Sequence, residues 1–511
     1  MGSIASMLAR VPKNFPYFCI LFREENKIVL LHANREVQLF VEASIEKWQK
    51  DGLRLKLNRR SATEYELKGA PFADLSCNCR YTNKGRKRSV VASVTRHNCK
   101  ETSVSVRKFL RNLLRDLQLM GWALVISAKL STEVGSTTWF FQKRKAPDDM
   151  QLICISFETF NRLQFLFTNQ ETNEKVAESL HRWVLEEKWL DEIFELTFKG
   201  QPWREEAVES IEGRQIILKL ARILAIAGFE FYGRFGNRSH GDILFFQKQE
   251  GIDQSAHSSL MLMSFHEWGR IRVLRADGDA VDVVESVAKG DWHEGVEPSA
   301  KSYDRIDLLR NKFDTEIKLA GAPWLIDEGR ILLNKLMSKL TGVGWTVYCS
   351  FDLPGQLTEK CVFLFQKFHN PIPAHFICIY PACENKMRIA GANDFGADKI
   401  AFTVLENWPT CEGQEWLKDK EGRITNVLEL QLMGNPWSPD NCDLGLLANH
   451  MMLALLIRLE SLGLSLGKSA EDKTRRALWA LSKLPKPVKY EVEVAKLELT
   501  EYVLKRSTRL F

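Results

Sequence analysis

The sequence predicts an α+β fold made by repetition: four tandem copies of a β-β-α-β-α-β-β module, each a mostly antiparallel sheet with two helices on one face. Three observations predict it. A Gly-x-Pro-aromatic peptide recurs four times, a stripe of helical period follows each one, and every stripe stops at a glycine before a large apolar residue. Self-similarity of this kind is the mark of a repeat architecture.

The turn peptides are Gly69-Ala70-Pro71-Phe72, Gly200-Gln201-Pro202-Trp203, Gly321-Ala322-Pro323-Trp324 and Gly434-Asn435-Pro436-Trp437. Each follows a short alternating run (Tyr65/Leu67, Leu196/Phe198, Ile317/Leu319, Leu430/Leu432). Period two is a half-buried strand, and the proline ends it because it cannot donate to a ladder.

The stripes come next. Val106, Phe109, Leu110, Leu113, Leu114 and Leu117 fall on one helical face, as do Ile216, Ile217, Leu220 and Leu224, and Leu332, Leu336, Met337 and Leu340. The fourth helix is apolar on most faces, which predicts burial between modules. The stops are Gly121-Trp122, Gly228-Phe229, Gly344-Trp345 and Gly463-Leu464. Glycine just past a helix takes the left-handed conformation, and the apolar residue after it packs on the last turn. Two strands follow, the second ending in Phe140-Phe141-Gln142-Lys143, Phe245-Phe246-Gln247-Lys248, Leu364-Phe365-Gln366-Lys367 or Trp479-Ala480-Leu481-Ser482-Lys483. The front half of each copy reads as two strands and a shorter helix ending near Trp48, Trp183, Trp292 or Trp408.

The predicted organisation is an N-terminal anchor segment 1–14, modules 15–145, 148–250, 256–368 and 373–484, and a C-terminal strand and tail 485–511. The first module carries an insertion: 50 positions separate Phe72 from Trp122, against 26 from Trp203 to Phe229.

Composition narrows the class. At 45% hydrophobic and 27% charged, the chain of 511 residues falls in the ordinary globular range. The first residues lack the pattern of a secretory leader, and 11 cysteines show no disulfide rhythm. A cytoplasmic protein with reduced thiols is therefore expected, and the sequon Asn237-Arg238-Ser239 is expected to go unused. The net charge is +6, yet the segment 77–100 holds Arg80, Lys84, Arg86, Lys87, Arg88, Arg96 and Lys100 with no acidic residue. That is +7 in one place, leaving −1 for the rest, unlike a general nucleic-acid binder.

Chemistry was sought at repeated positions. This reading places no His, Asp, Glu, Ser or Cys at one position of all four copies, and finds no phosphate loop, zinc-protease helix or nucleophile elbow. No catalytic residue and no cofactor is expected. Cys19, Cys154 and Cys378 align with Leu262, the pattern of a core position. The aligned tryptophans read as core anchors before stacking platforms, and the repeated Gln-Lys pair as a strand emerging into solvent before a shared ligand contact. Asp277, Asp279 and Asp282 read as a turn and helix start. Cys77, Cys79, His97 and Cys99 could together hold zinc, though their spacing is unlike the common two-residue knuckle; a solvated loop is the plainer reading.

Two signals point outward. Met1-Gly2-Ser3-Ile4-Ala5-Ser6 fits N-myristoylation at Gly2. One myristoyl chain anchors marginally, at about 10⁴ M⁻¹, so the basic segment would supply the second signal against anionic lipid. Ser89, after Arg86-Lys87-Arg88, is placed for a basic-directed kinase, whose phosphate would add about −1.5 to −2 charges and weaken that attachment. The sequence is expected to encode a non-catalytic repeat scaffold for other proteins, tethered to an anionic membrane. The alternatives are a nuclear or RNA-associated protein using the basic insertion, and a small-molecule or enzymatic pocket in one module.

Overall fold

The computed structural model describes residues 16–483 apart from 24, 49–51, 59–60, 73–90, 129–136, 204–208, 237–241, 250–258, 267–268, 298–314, 354–361, 372, 384, 393, 409–410, 419–421, 438–441, 462–463, 467–469 and 472–476. Module 1 runs β1 (Tyr17–Arg23), β2 (Lys27–Leu31), α1 (Arg35–Trp48), β3 (Leu53–Asn58), β4 (Ala62–Leu67), α2 (Val91–Leu119), β5 (Trp122–Ala128) and β6 (Thr137–Lys143). Module 2 repeats it with β7 (Leu152–Glu158), β8 (Arg162–Leu166), α3 (Gln170–Leu180), β9 (Val184–Leu190), β10 (Ile193–Phe198), α4 (Glu209–Ile226), β11 (Phe229–Phe235) and β12 (Ile243–Lys248). Module 3 has β13 (Leu260–His266), β14 (Arg270–Leu274), α5 (Gly278–Asp291), β15 (Thr315–Lys318), α6 (Asp327–Gly342), β16 (Trp345–Phe351) and β17 (Val362–Lys367). Module 4 has β18 (Phe376–Cys383), β19 (Lys386–Ala390), α7 (Asp394–Asn407), β20 (Cys411–Lys418), β21 (Ile424–Leu432), α8 (Cys442–Ser461), β22 (Leu464–Leu466), β23 (Ala470–Glu471) and β24 (Ala477–Lys483).

The α+β repeat is present, among the described residues, as four antiparallel sheets and eight α-helices. Modules 1 and 2 share one strand order, β3-β4-β2-β1-β6-β5 and β9-β10-β8-β7-β12-β11, and modules 3 and 4 follow the same path. Modules 1 and 2 have one strand more than predicted, and module 4 has two more, β20 and β23. The added strands β3, β9 and β20 form the outer edge of each sheet, and β9 is exposed from Leu185 onward. β9 and β20 bury no full face and so carry no apolar period, whereas β3 does alternate, at Leu53, Leu55 and Leu57.

Both faces of every sheet are covered. In β1, Phe18, Ile20 and Phe22 pack on the helices of module 1, whereas Tyr17, Cys19 and Leu21 join a second core with α7 and α8. The same split recurs: Ile153, Ile155 and Phe157 face their own helices, and Leu152 and Cys154 join the core of module 1. Each sheet thus lies on its own helices and beneath those of the preceding module. Contacts of α2 with β7, α4 with β13, α6 with β18 and α8 with β1 carry this around the molecule. The last module covers the first, and the four close into a ring.

Helix α8 explains its own composition. Asp443–Ser461 is long and apolar enough to cross a membrane, and 67% of it is buried between the sheets of modules 4 and 1. The all-round apolar pattern predicts that burial.

The inner edges β5, β11 and β16 meet at the centre of the ring. Each carries a bulge at one aligned place, at Val125, Tyr232 and Tyr348. A bulge leaves a ladder N–H unpaired, and the next module supplies the acceptor. The Leu124 N–H donates to the Tyr232 hydroxyl at 3.0 Å, and the Phe231 N–H to the Tyr348 hydroxyl at 2.8 Å.

Glycine is required where helix meets turn. A Cβ on Gly213 of α4 would overlap the Pro202 carbonyl oxygen, and one on Gly329 of α6 the Pro323 carbonyl oxygen. The turn prolines and the helices after them are packed as one unit.

Candidate functional site

The polar residues that recur lie in the layers between modules. Glu64, Glu195, Glu316 and Glu429 each stand five residues before the turn glycine. This corrects the expectation that no acid is kept in all four copies. Register puts them opposite Val29, Gln164, Arg272 and Arg388. In modules 2 to 4 this carboxylate meets an arginine or lysine and a second donor from the neighbouring strand. Glu195, buried, accepts from Gln164 and lies 3.7 Å from Arg162. Glu316 accepts from Arg270 at 3.1 Å and Arg272 at 2.5 Å. Glu429, 3% exposed, accepts from Lys386 and from Arg388 at 2.6 Å.

A second recurrence comes from the helix above. Arg107, Arg214, Arg330 and Asn449 each lie fourteen residues before the glycine that ends their helix. Arg107 of α2 is buried, donates to Ser156 of β7 and lies 3.3 Å from Glu158. Arg214 is fully buried in α4. Arg330 of α6 stacks 4.3 Å over the Tyr380 ring of β18, and Asp327 on the same helix accepts from Tyr380 at 2.6 Å and pairs with Arg388. Neither set was found from sequence by following apolar periods; counting back from the punctuating glycines finds both.

The fourth junction differs. Where module 4 meets module 1 the helix carries Asn449, and Val29 and Leu21 replace polar neighbours. His32 Nε2 lies 2.8 Å from His450 Nδ1, and Glu460 accepts from Tyr17 and from Gln142 at 3.0 Å.

These layers hold module to module. Burial would lower the Arg388 pKa, but Asp327 and Glu429 raise it above its ordinary value. Burial pushes the Cys154 thiol up to about 12 and Cys19 well above its ordinary range, against the thiolate a nucleophile needs. Cys19, Cys154, Leu262 and Cys378 are all buried at one strand position. Among the described residues no group of three or more His, Cys, Asp or Glu is placed to hold a metal.

The other repeated residues also have structural partners. Lys143 and Lys248 donate to the Met120 and Ala227 carbonyls at the helix ends, and lie 5.0 and 5.1 Å over Trp122 and Phe229. Lys367 instead lies 5.6 Å over Trp345 and pairs with Asp277, which caps α5 by accepting from the Ala280 N–H. These are helix caps reinforced by cation–π contact. The Trp292 and Trp408 indoles donate to the Ala320 and Met433 carbonyls just before the turn glycines, as anchors would.

Of the residues predicted to act outward, Gly2, Cys77, Cys79, Arg80, Lys84, Arg86, Lys87, Arg88 and Ser89 lie outside the described residues, as do 1–14 and 485–511. Arg96, His97, Cys99 and Lys100 fall within the span of α2, which begins at Val91, so the last ten positions of the segment expected to be a loop are helical.

With the packing frame committed to the junctions, the outer edges are where the modules differ. On β3, Arg54 pairs with Glu66 and Lys56 with Glu42. On β9, Leu185, Trp189 and Leu190 are 67%, 54% and 45% exposed. β15 is four residues long, and β20 is broken by two bulges.

One family domain, recognised by its sequence model, matches the chain three times in tandem, over residues 151–247, 259–366 and 375–482. The chain belongs to that family. The three matches coincide with modules 2, 3 and 4 of this repeat protein, and module 1 has the same strand order. No curated protein and no solved structure matches it.

Proposed function

We propose that this repeat protein is a non-catalytic scaffold that binds other proteins through the outer edges of its ring and is tethered to membranes through a myristoylated Gly2. The observation that carries the reading is the division of labour among its residues. Repeated charges, aromatics and glycines hold module to module, while the outward strands of the four copies have diverged, as in arrays that bind through extended faces. The tether rests on the opening Met1-Gly2-Ser3-Ile4-Ala5-Ser6 and the +7 segment, with phosphorylation at Ser89 as the release.

Fractionation of cells expressing parent and Gly2→Ala protein tests the tether. The parent is expected in the membrane fraction and the variant in the soluble one; equal fractionation removes the tether. Proximity labelling from the intact ring tests the scaffold. Recovery of nucleic acid in place of protein, with a steep salt dependence lost on deleting 77–100, would replace this reading.

A further inference from the structure

We infer that β9 is a docking edge for one extended segment of a partner protein, bearing a basic residue between two apolar residues on one face. This rests on the scaffold reading and names the partner's chemistry.

The argument begins with the backbone. β9 is the outermost strand of its sheet and, among the described residues, pairs with β10 alone, so the hydrogen-bonding groups on its other side face outward. Pairing with β10 is regular from Glu186 to Leu190, which gives an incoming strand an even ladder. Edges like this are normally blunted by charge, bulges or brevity. Its counterparts are: β15 is short, β20 is bulged twice, and β3 has its basic residues paired.

Side chains then select the occupant. Register puts Val184, Glu187 and Trp189 on one face, opposite Phe198, Leu196 and Phe194, with a bulge at Leu185 between the first two. Trp189 lies 4.7 Å from the Phe194 ring, so that face continues the core of module 2 outward as an apolar strip. Glu187 sits in its middle, exposed, and makes no ion pair among the described residues. On the opposite face Glu186 is neutralised by Lys188 at 2.7 Å. Cross-strand partners meet directly on one face, where opposite charges and apolar pairs each stabilise and like charges repel. The matching strand places a Lys or Arg against Glu187 and apolar residues against Val184 and Trp189. Strand addition of this kind takes affinity from the backbone and specificity from alternate side chains.

A second copy does not supply that pattern. β3, bulged at Arg54, has Leu55 and Leu57 on one face and Leu53 and Lys56 on the other, so Lys56 has an apolar neighbour on one side only, and β15 alternates Thr315 and Ile317 against Glu316 and Lys318.

The test uses the full chain and two blocked peptides, Thr-Val-Thr-Lys-Thr-Val-Thr and its counterpart with Glu at the centre, read by amide hydrogen exchange. The Lys peptide is expected to slow alternate amides of Val184–Leu190 at least threefold, and the Glu peptide to leave them unchanged. Glu187→Lys should reverse the preference, a gain that misfolding cannot imitate. Protection by neither peptide, or by both equally with Glu187→Lys indifferent, overturns the proposal. So does slow exchange at β9 in the parent alone that disappears on dilution, which would mean self-association. If partner recovery persists in the Trp189→Ser variant while the peptides fail, β9 is not the site and the scaffold reading stands.

Discussion

His32 and His450 face each other across the only junction of the ring that no neighbouring stretch of chain connects, with ring nitrogens 2.8 Å apart and centroids 4.9 Å apart. They are 418 residues apart in sequence and lie at the junction whose helix carries Asn449 where the others carry Arg107, Arg214 and Arg330. A neutral pair shares one proton well; a doubly charged pair repels.

Ring closure should therefore weaken in acid. Burial pushes His32 down to about 3, helped by His450, and pushes His450 down to about 4. An unfolded histidine titrates near 6.5. The folded pKa values are depressed, so the stabilisation is complete above 6.5 and is lost as pH falls from 6.5 towards 4. The slope is about 1.4 kcal/mol per pH unit for each ring at most. Urea titrations between pH 7 and 4.5 should show this loss, and His32→Phe, which installs the residue type of Phe167 at the same place in module 2, should roughly halve it. An unchanged slope would assign the acid sensitivity to other groups.

Removing the buried carboxylate of module 4 should be costly and its counterpart in module 1 cheap. Glu429→Gln leaves Lys386 without its acid and Arg388 with Asp327 alone, a loss of about 3 kcal/mol at a buried site. Glu64 is half-buried opposite Val29, and Glu64→Gln should change stability by under about 1 kcal/mol. Chemical denaturation of the two variants side by side decides this.

The bulge contacts at the hub can be tested one at a time. Tyr348→Phe removes the hydroxyl that accepts from Phe231, and Tyr232→Phe the one that accepts from Leu124. Each should cost about 1–2 kcal/mol, the penalty of a buried donor left unmade. Exchange at the Phe231 or Leu124 amide should quicken selectively. Uniform acceleration would mean that the ring opens as a whole.

Two alanine substitutions in helices should diverge. Gly329→Ala drives a methyl into the Pro323 carbonyl and should destabilise by about 2–3 kcal/mol. Gly278→Ala at the start of α5 meets nothing within 4 Å and should be neutral or stabilise by about 0.5 kcal/mol. Thermal melts of both variants give the comparison.

Much of the local design was legible. The left-handed residue after the second strand of each module, His32, Phe167, Arg275 or Gly391, has φ of 59, 64, 62 or 80°. Two positions later stand Asn34, Asn169 and Asp277, whose side chains accept from the Val37, Thr172 and Ala280 N–H groups. Such signals lie within a few residues of one another. The repeated Glu64, Glu195, Glu316 and Glu429 were equally present in the letters, but they interrupt the apolar rhythm that a search by period follows. β9 escaped because nothing buries it.

By itself the amino-acid order determined the module: its strands, its two helices, the glycines that stop them and the fourfold repetition, all set by contacts short in sequence. It also required that strands such as Phe18–Phe22, apolar at every position, be covered on both faces. What covers the second face was decided only in three dimensions. α8 reaches β1 because three preceding modules each turn the chain by one sheet-and-helix layer, and the sum of those turns appears in no single stretch of residues.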